Sequence, residues 1–222
     1  KIAGQLRTDG AVVVDIRLPL ASCVELEEAL RARYRLEFVS VVPSDEDEDR
    51  QRRMLGDAGG VMLDAMIRDG QSIAVGWGQT LSASFKRLRP RKLKSSSVIS
   101  LMGGLKRASE ANSFDVSTEL ARTLGSDCYF LTAPVYCPSI ESREILLTHG
   151  GVNDVMARAR KSDMAIISCG DLTPGSQMTP LGTISSVRER LPELEKMGAI
   201  GEILGTFLDK DGKPVDHMLN RS

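Results

Sequence analysis

Short apolar runs alternate with amphipathic stretches along this chain of 222 residues. Buried-type strands are predicted at 72–75, 97–102, 128–131 and 164–169, and further strands at 11–16, 36–42 and 200–208. Helices are predicted at 22–34, 50–69, 80–88, 115–124, 142–148, 153–161 and 185–197. This alternation predicts an α/β fold with a mainly parallel, Rossmann-like sheet and helices on both faces. Ligands of such sheets bind beyond the carboxyl ends of the strands, so function is expected in the turns that follow them.

The turn Gly76-Trp77-Gly78-Gln79-Thr80 follows the predicted strand at 72–75 and opens a helix. Its two glycines let the backbone approach a ligand closely. The helix start offers N–H groups and a positive dipole end to an anion, and Gln79 and Thr80 add side-chain donors. The pattern therefore predicts a cradle for a small anionic ligand, with a tight packing turn as the alternative.

Later strand ends carry further candidates. The loop Gly103-Gly104-Leu105 can supply backbone donors, or it is a plain surface loop. Asn112 precedes the next helix, where it either caps the helix or binds a ligand hydroxyl. Asp171 can accept hydrogen bonds from sugar hydroxyls or form a turn.

Glu202 is the unusual residue of the predicted strand at 200–208, because the rest of that strand is mostly apolar. A carboxylate is costly to bury unless it is paired or holds a ligand hydroxyl. Glu202 therefore either serves a ligand or points to solvent. Asp209 ends this strand and begins a hairpin turn signal.

The charge balance argues against a nucleic-acid-binding surface, since the chain has 29 basic and 30 acidic residues. The basic segment 86–94 is interpreted as a solvated helix end and loop. The four cysteines lack the spacing of metal ligands, so neither a metal nor a cofactor is predicted, and a reducing cytosol fits. No apolar run approaches the ~18 residues of a membrane span. His149 and His217 are expected at the surface, and no catalytic constellation is recognised.

The order of the motifs resembles the effector-binding domain of SorC-type bacterial transcriptional regulators, also called the SorC/DeoR sugar-binding group. The motifs are Ile73-Ala74-Val75-Gly76-Trp77-Gly78-Gln79-Thr80-Leu81, Gly103-Gly104, Glu119-Leu120-Ala121, Ala133-Pro134, Gly198-Ala199-Ile200-Gly201-Glu202-Ile203 and Phe207-Leu208-Asp209-Lys210-Asp211-Gly212. The resemblance covers nearly the whole chain, and it implies a fold similar to sugar-phosphate isomerases and CoA transferases.

The resemblance also implies a function. Residues 1–222 would form one cytoplasmic effector-binding domain for a small sugar, polyol or sugar phosphate, without the family's N-terminal helix-turn-helix domain for operator DNA and without its C-terminal segment. The whole protein would be a dimer or tetramer. The implied ligand contacts are Gly76, Gly78, Gln79, Thr80, Gly103, Gly104, Leu105, Asn112, Glu202 and, more weakly, Asp171 and Asp209.

Met102 stands where some phosphosugar-sensing members of the family carry Arg, which disfavours a doubly phosphorylated ligand. Two alternatives to ligand sensing remain at this point. A sugar-phosphate isomerase or deaminase of the same fold would need an acid–base pair that the sequence does not offer. A scaffold without a small ligand would leave the glycine turns unexplained.

Overall fold

The computed structural model describes residues 21–104, 113–172 and 185–221. The chain forms two compact units, Lys1–Glu46 and Asp47–Ser222. Every candidate ligand contact belongs to the second unit. Among the residues described, none of the helices combines the length and the apolar character that a bilayer crossing demands.

The first unit contains helix α1 (Ala21–Tyr34), which confirms the helix predicted at 22–34. Residues 36–43 follow without forming a strand, so the strand predicted at 36–42 is wrong. Val41 N donates a hydrogen bond to the Glu27 carboxylate at 2.8 Å, and the Phe38 side chain is 60% exposed. Apolar and β-branched residues favour an extended backbone, but a strand also needs a neighbouring strand. No other described residues of this unit supply one.

In the second unit, helix α2 (Glu48–Met66) packs closely against helix α3 (Gln79–Phe85). The Asp47 carboxylate caps α2 by accepting a hydrogen bond from the backbone of its first turn. The side of α2 that faces α3 is rich in glycine. A Cβ added to Gly56 would lie only 2.6 Å from Ala83 Cβ, so the missing side chain lets the two helices approach.

Four parallel strands form the main sheet in the order β3-β2-β1-β4. They are β1 (Ser72–Val75), β2 (Ser97–Ser100), β3 (Asp127–Tyr129) and β4 (Met164–Ile166). Helix α3 connects β1 to β2, and the later connections use α4 (Ser113–Leu124), α5 (Ile140–Thr148) and α6 (Gly150–Arg160). The chain order therefore reverses between β1 and β4, which are neighbours in the sheet.

Helices cover both faces of the main sheet. Ile73, Val75 and Val98 belong to one buried cluster together with side chains of α2, α3 and α4. Ala74 and Ile99 are also buried but point to the opposite face, because side chains alternate along a strand. Helix α6 packs against β2 on the sheet. Strands that are apolar on both faces are typical of parallel sheets, and the predicted α/β fold is confirmed.

A second sheet is antiparallel, with the order β5-β6-β7. Its strands are β5 (Cys169–Asp171), β6 (Ala199–Ile203) and β7 (Thr206–Asp209). Two strand predictions are corrected here. The strand predicted at 164–169 is divided between β4 and β5, which lie in different sheets, and the strand predicted at 200–208 is a hairpin.

The hairpin turns at Leu204-Gly205, where φ is 51° and 76°. Two successive positive φ angles are those of a type I′ turn, one of the two turn types that favour a two-residue hairpin. Leucine is uncommon in this conformation, so the turn carried no recognisable sequence signal.

A second buried cluster lies among the antiparallel sheet, helix α7 (Ser185–Lys196) and helix α8 (Met218–Arg221). Its members are Trp77, Met102, Leu172, Leu194, Ala199, Phe207, Val215 and Leu219. The Asn220 side chain fixes α8 to β7 by exchanging hydrogen bonds with the backbone N–H and C=O of Phe207, at 2.8 and 2.9 Å. Trp77 and Met102 come from the loops after β1 and β2, so this cluster joins the two sheets.

Candidate functional site

The loops that follow the parallel strands meet at the carboxyl edge of the main sheet. The order of the strands reverses there between β1 and β4, which is where open α/β sheets bind ligands. Gly76 N donates a hydrogen bond to Ile166 O at 2.9 Å, and Ser168 Oγ donates one to Trp77 O at 2.7 Å. These bonds hold the turn after β1 and the end of β4 together.

Both glycines of the first turn lie close to side chains from later in the chain. A Cβ at Gly76 would lie 2.9 Å from Leu204 Cδ2, and one at Gly78 would lie 2.8 Å from Ser168 Oγ. Gly78 also has a φ of 129°, which residues with a side chain rarely adopt. Conformation and packing therefore account for Gly78, whereas the Leu204 side chain can move away from a Cβ at Gly76, and ligand binding has to be argued from other features.

Helix α3 begins directly after this turn, with Gly78 at the N-cap and no side-chain cap. Its first hydrogen bond runs from Ser82 N to Gly78 O at 3.0 Å. The N–H groups of Thr80 and Leu81 precede that bond and have no acceptor within the helix. The Thr80 side chain is half-buried, and Gln79 is exposed. The donors predicted for this turn thus lie at the switch point of the sheet.

The loop after β2 is held against the loop after β3. Gly104 N donates a hydrogen bond to Ala133 O at 2.8 Å, and a Cβ on Gly103 would collide with the same carbonyl oxygen. The two glycines of this loop therefore serve close backbone packing as well. Leu105 and Asn112, the other predicted contacts in this region, lie outside the described residues.

Glu202 is buried, with 6% of its surface exposed, and it lies on β6 opposite Gly170. Its Oε2 accepts a hydrogen bond from Gly205 N at 2.8 Å. A Cβ on Gly170 would lie 2.8 Å from Oε1, so that glycine makes room for the carboxylate. Burial raises the pKa of Glu202 and outweighs the opposing hydrogen bond from Gly205. The alternative that Glu202 points to solvent is excluded, and Oε1 has no hydrogen-bond partner among the described residues.

Tyr136, in the loop after β3, holds the same region in place. Its hydroxyl donates a hydrogen bond to Gly205 O at 2.7 Å, and its ring stacks on Phe207 with 6.5 Å between the centroids. Burial, together with the charge of Glu202, raises the pKa of Tyr136, so the hydroxyl stays a donor at neutral pH. Local sequence patterns do not reveal this residue, because its partner is 69 positions away.

The Leu204-Gly205 turn contacts the loops of three parallel strands. Leu204 packs on Gly76 after β1, and Gly205 lies beside Met102 after β2 and Tyr136 after β3. A Cβ on Gly205 would lie 3.3 Å from Met102 Cε and 3.2 Å from Tyr136 Oη. The hairpin thereby brings the buried carboxylate of Glu202 to the carboxyl edge of the main sheet.

Residues 19–222 match the model of the family described as "Putative sugar-binding domain". The chain belongs to this sugar-binding-domain family. This match confirms the sequence-based prediction of the sugar-binding domain of a regulator family.

The named relatives of the sugar-binding domain are transcriptional regulators. The erythritol catabolism regulatory protein EryD of Brucella abortus (strain 2308) is 30% identical over 207 residues, which cover 92% of this chain and 65% of EryD. The chain therefore spans somewhat less than two thirds of that relative's length. These relatives carry the names of transcriptional regulators, which is consistent with the prediction that the chain is not an enzyme.

Two solved structures show the same fold. A DeoR family transcriptional regulator from Listeria monocytogenes has a TM-score of 0.79 at 24% identity, covering 90% of this chain and 78% of that one. The full-length sorbitol operon regulator SorC from Klebsiella pneumoniae has a TM-score of 0.78 at 19% identity, covering 99% and 70%. At these identities the likeness establishes the fold of the sugar-binding domain.

Asp171 and Asp209, the two acids predicted as weaker ligand contacts, occupy different places in the sugar-binding domain. Asp171 is exposed on β5, opposite Gly201. Asp209 lies at the end of β7 away from the Leu204-Gly205 turn, where its Oδ1 accepts hydrogen bonds from Lys213 N and Asp211 N, both at 2.9 Å. The hydrogen bond from Lys213 is the main cause that lowers the pKa of Asp209. Asp209 organises its own turn, and the structure does not bring it to the carboxyl edge.

His217 of the sugar-binding domain is buried, so the prediction of a surface position is wrong. Its Nδ1 accepts a hydrogen bond from Leu219 N at 3.2 Å, and its Nε2 lies 3.3 Å from Glu193 Oε2. Nδ1 thus accepts a hydrogen bond at the start of α8, and Nε2 links this helix start to α7. Within the described ranges, no group of three or more His, Cys, Asp or Glu side chains is placed to hold a metal ion.

A cavity of about 270 Å³ lies where the ends of β2 and β3 meet α6. Its lining includes Leu101, Leu131, Val155 and Arg160. This lining is mainly apolar, whereas the hydroxyl groups of a sugar need hydrogen-bond partners. The buried carboxylate and the start of α3 are better matched to such a ligand than this cavity is.

Proposed function

We propose that this chain is the ligand-sensing domain of a sugar-responsive transcriptional regulator, and that it binds a small sugar, polyol or sugar phosphate at the carboxyl edge of the main sheet. One observation carries the proposal: Glu202 is buried at this edge with Oε1 lacking a hydrogen-bond partner among the described residues. A buried carboxylate oxygen is stabilised by a hydroxyl donor, which a polyol supplies.

The start of α3 provides the complementary part of the proposed site. Backbone N–H groups at a helix start suit an anionic group, and Thr80 adds a hydroxyl. Met102 stands in place of the arginine that some family members carry, so we expect at most one phosphate on the ligand. Gln79, Gly103 and Gly104 complete the described part of this surface.

We further propose how the ligand acts in the whole protein. Relatives such as EryD extend beyond the region that this chain matches. In our proposal an N-terminal helix-turn-helix portion binds operator DNA, the protein is a cytoplasmic homo-oligomer, and the ligand changes DNA affinity by binding one conformational state more tightly than another.

The names of the relatives select the first probes. EryD is named for erythritol catabolism and SorC for the sorbitol operon, so erythritol, sorbitol and their monophosphates are tested first. A ligand present at about 100 times its Kd stabilises the folded chain by about 2.7 kcal/mol, which thermal denaturation detects. The absence of a shift with every sugar, polyol and sugar phosphate would contradict the proposal.

Substitutions then locate the site. Thr80→Ala should weaken the ligand-induced shift while leaving the stability of the free chain within about 0.5 kcal/mol of the original. Thr148→Ala is the matched control, because Thr148 is exposed on α5 and bonds only within its own helix. Equal ligand shifts in both variants would exclude Thr80 from the site.

A further inference from the structure

The cavity beside helix α6 lies between that helix and the main sheet. Ile99 of β2 and Tyr129 of β3 are neighbours in the sheet, so their side chains point to the same face. Leu101 and Leu131 follow them by two positions and line one wall of the cavity. The other wall belongs to the last turns of α6 and consists of Val155, Met156, Ala159 and Arg160. The cavity is therefore a gap between this helix end and the ends of the two strands.

The size and the lining of the cavity together favour a ligand with an apolar body. Leu101, Leu131 and Met156 are half-buried, and they border a volume of about 270 Å³. A cavity of about 150 Å³ with apolar walls is large enough to bind benzene. The larger volume beside α6 therefore accommodates one aromatic ring with a short side chain.

Arg160 adds a cation to this apolar lining. The neighbouring arginine, Arg158, is already engaged, because its Nε donates a hydrogen bond to Asp154 Oδ2 at 2.9 Å and its guanidinium lies 4.2 Å from the centre of the Tyr129 ring. Arg160 is exposed and forms no ion pair with any acid among the residues that the structure describes. The guanidinium of Arg160 is thus available to an anionic group at the opening of the cavity.

We propose that this cavity is a second ligand site, which binds a small amphipathic carboxylate with its apolar body inside and its carboxylate on Arg160. A planar guanidinium matches a carboxylate with two parallel hydrogen bonds. An apolar alcohol would fill the same volume but would not use the charge of Arg160. A sugar would leave hydroxyl groups without partners against the apolar walls.

The second site is separate from the proposed polyol site. None of the residues that line the cavity is among the proposed polyol contacts, and Glu202 lies in the other sheet. The inference therefore does not depend on the proposed function, and either proposal can fail without the other.

Calorimetry with two probes of the same apolar body tests the role of Arg160. The original chain should bind 3-phenylpropanoate more tightly than 3-phenylpropan-1-ol. Arg160→Gln should weaken binding of the carboxylate about fivefold and change binding of the alcohol by less than about twofold. Arg143→Gln is the control, because Arg143 is exposed on α5, and it should change neither affinity. No binding of the carboxylate, or equal carboxylate affinities in the original chain and Arg160→Gln, would overturn the proposal.

Filling the cavity tests the place of binding. Ala159 is half-buried in the wall, so the ring of Ala159→Trp should occupy the cavity and abolish binding of both probes without lowering the melting temperature. In the original chain, 3-phenylpropanoate should shift the NMR signal of the Met156 methyl group, a readout that needs no substitution. A tryptophan variant that binds as tightly as the original, or a Met156 signal that does not move at saturation, would overturn the proposal.

Discussion

The two sheets of the second unit contribute to the candidate site in different ways. The parallel sheet contributes backbone: its loops are held by bonds such as Gly104 N to Ala133 O and by glycines in close contact with their neighbours. The antiparallel sheet contributes the buried carboxylate of Glu202, on a hairpin that Tyr136 holds. The loops of the parallel sheet depend on steric fit, whereas the antiparallel hairpin depends on polar groups that are buried away from water. Substitutions in the two sheets should therefore have different effects on stability.

The largest loss of stability is expected from Gly103→Ala, in the loop that follows β2 of the parallel sheet. The added Cβ would collide with Ala133 O and would lie 2.8 Å from the backbone of Pro134, and backbone atoms cannot move aside cheaply. Overpacking of this kind costs up to about 3 kcal/mol, and we expect a loss near that value. Urea denaturation measures the loss directly.

The control for this substitution is Gly150→Ala. Gly150 begins helix α6, and an added Cβ would meet nothing within 4 Å. Alanine favours a helix more than glycine does, so this variant should be as stable as the original or more stable by up to about 1 kcal/mol. If Gly103→Ala behaves like Gly150→Ala, the loops of the parallel sheet are not held by steric fit.

An intermediate loss of stability is expected from Tyr136→Phe, which tests the contact between the loop after β3 and the antiparallel hairpin. The variant keeps the ring that stacks on Phe207 but removes the hydrogen bond to Gly205 O. Leaving that carbonyl without a partner should cost about 1 to 2 kcal/mol of unfolding free energy. Tyr34→Phe is the control, since Tyr34 is 57% exposed, and it should change stability by less than about 0.5 kcal/mol. Equal stabilities of the two variants would mean that other contacts hold the turn.

The parallel sheet was the more predictable of the two from the sequence. Ser72–Val75 was predicted with its observed limits, because a short apolar run between turn and helix signals specifies a buried parallel strand. The antiparallel hairpin was missed, because Leu204 adopts a positive φ that leucine seldom takes. The prediction of a strand at 36–42 is wrong for a different reason. Residues that favour an extended backbone form a strand only when a second strand lies beside them.

The residues of the candidate site also differ in how far local sequence patterns reveal them. The Gly76–Thr80 turn was found from local spacing, because a strand, a glycine turn and a helix follow one another in the chain. Glu202 stood out as a carboxylate in an apolar run, but its burial depends on Gly170 opposite it in the sheet. Tyr136 was beyond reach of local patterns, because only the folded hairpin places Gly205 O beside its hydroxyl.

The smallest change in stability, and one of opposite sign, is expected from Glu202→Gln. Burial raises the pKa of Glu202 above its value in the unfolded chain, so folding disfavours the ionised form. This penalty is fully present above the raised pKa and disappears as the pH falls through it. The glutamine should therefore raise the melting temperature slightly at pH 7, and the advantage should shrink towards pH 4. The amide oxygen can still accept the hydrogen bond from Gly205 N, which keeps the hairpin intact.

The same substitution separates stability from binding. Glutamine lacks the charge that strengthens a hydrogen bond to a ligand hydroxyl, so polyol affinity should fall while stability rises. Glu195→Gln on the exposed side of α7 is the control, and it should change neither quantity. A variant of Glu202 that is less stable at pH 7 would show that the carboxylate supports the fold. The carboxylate would then be needed for stability, as the glycines of the parallel sheet are, and the expected contrast in stability between the two sheets would fail.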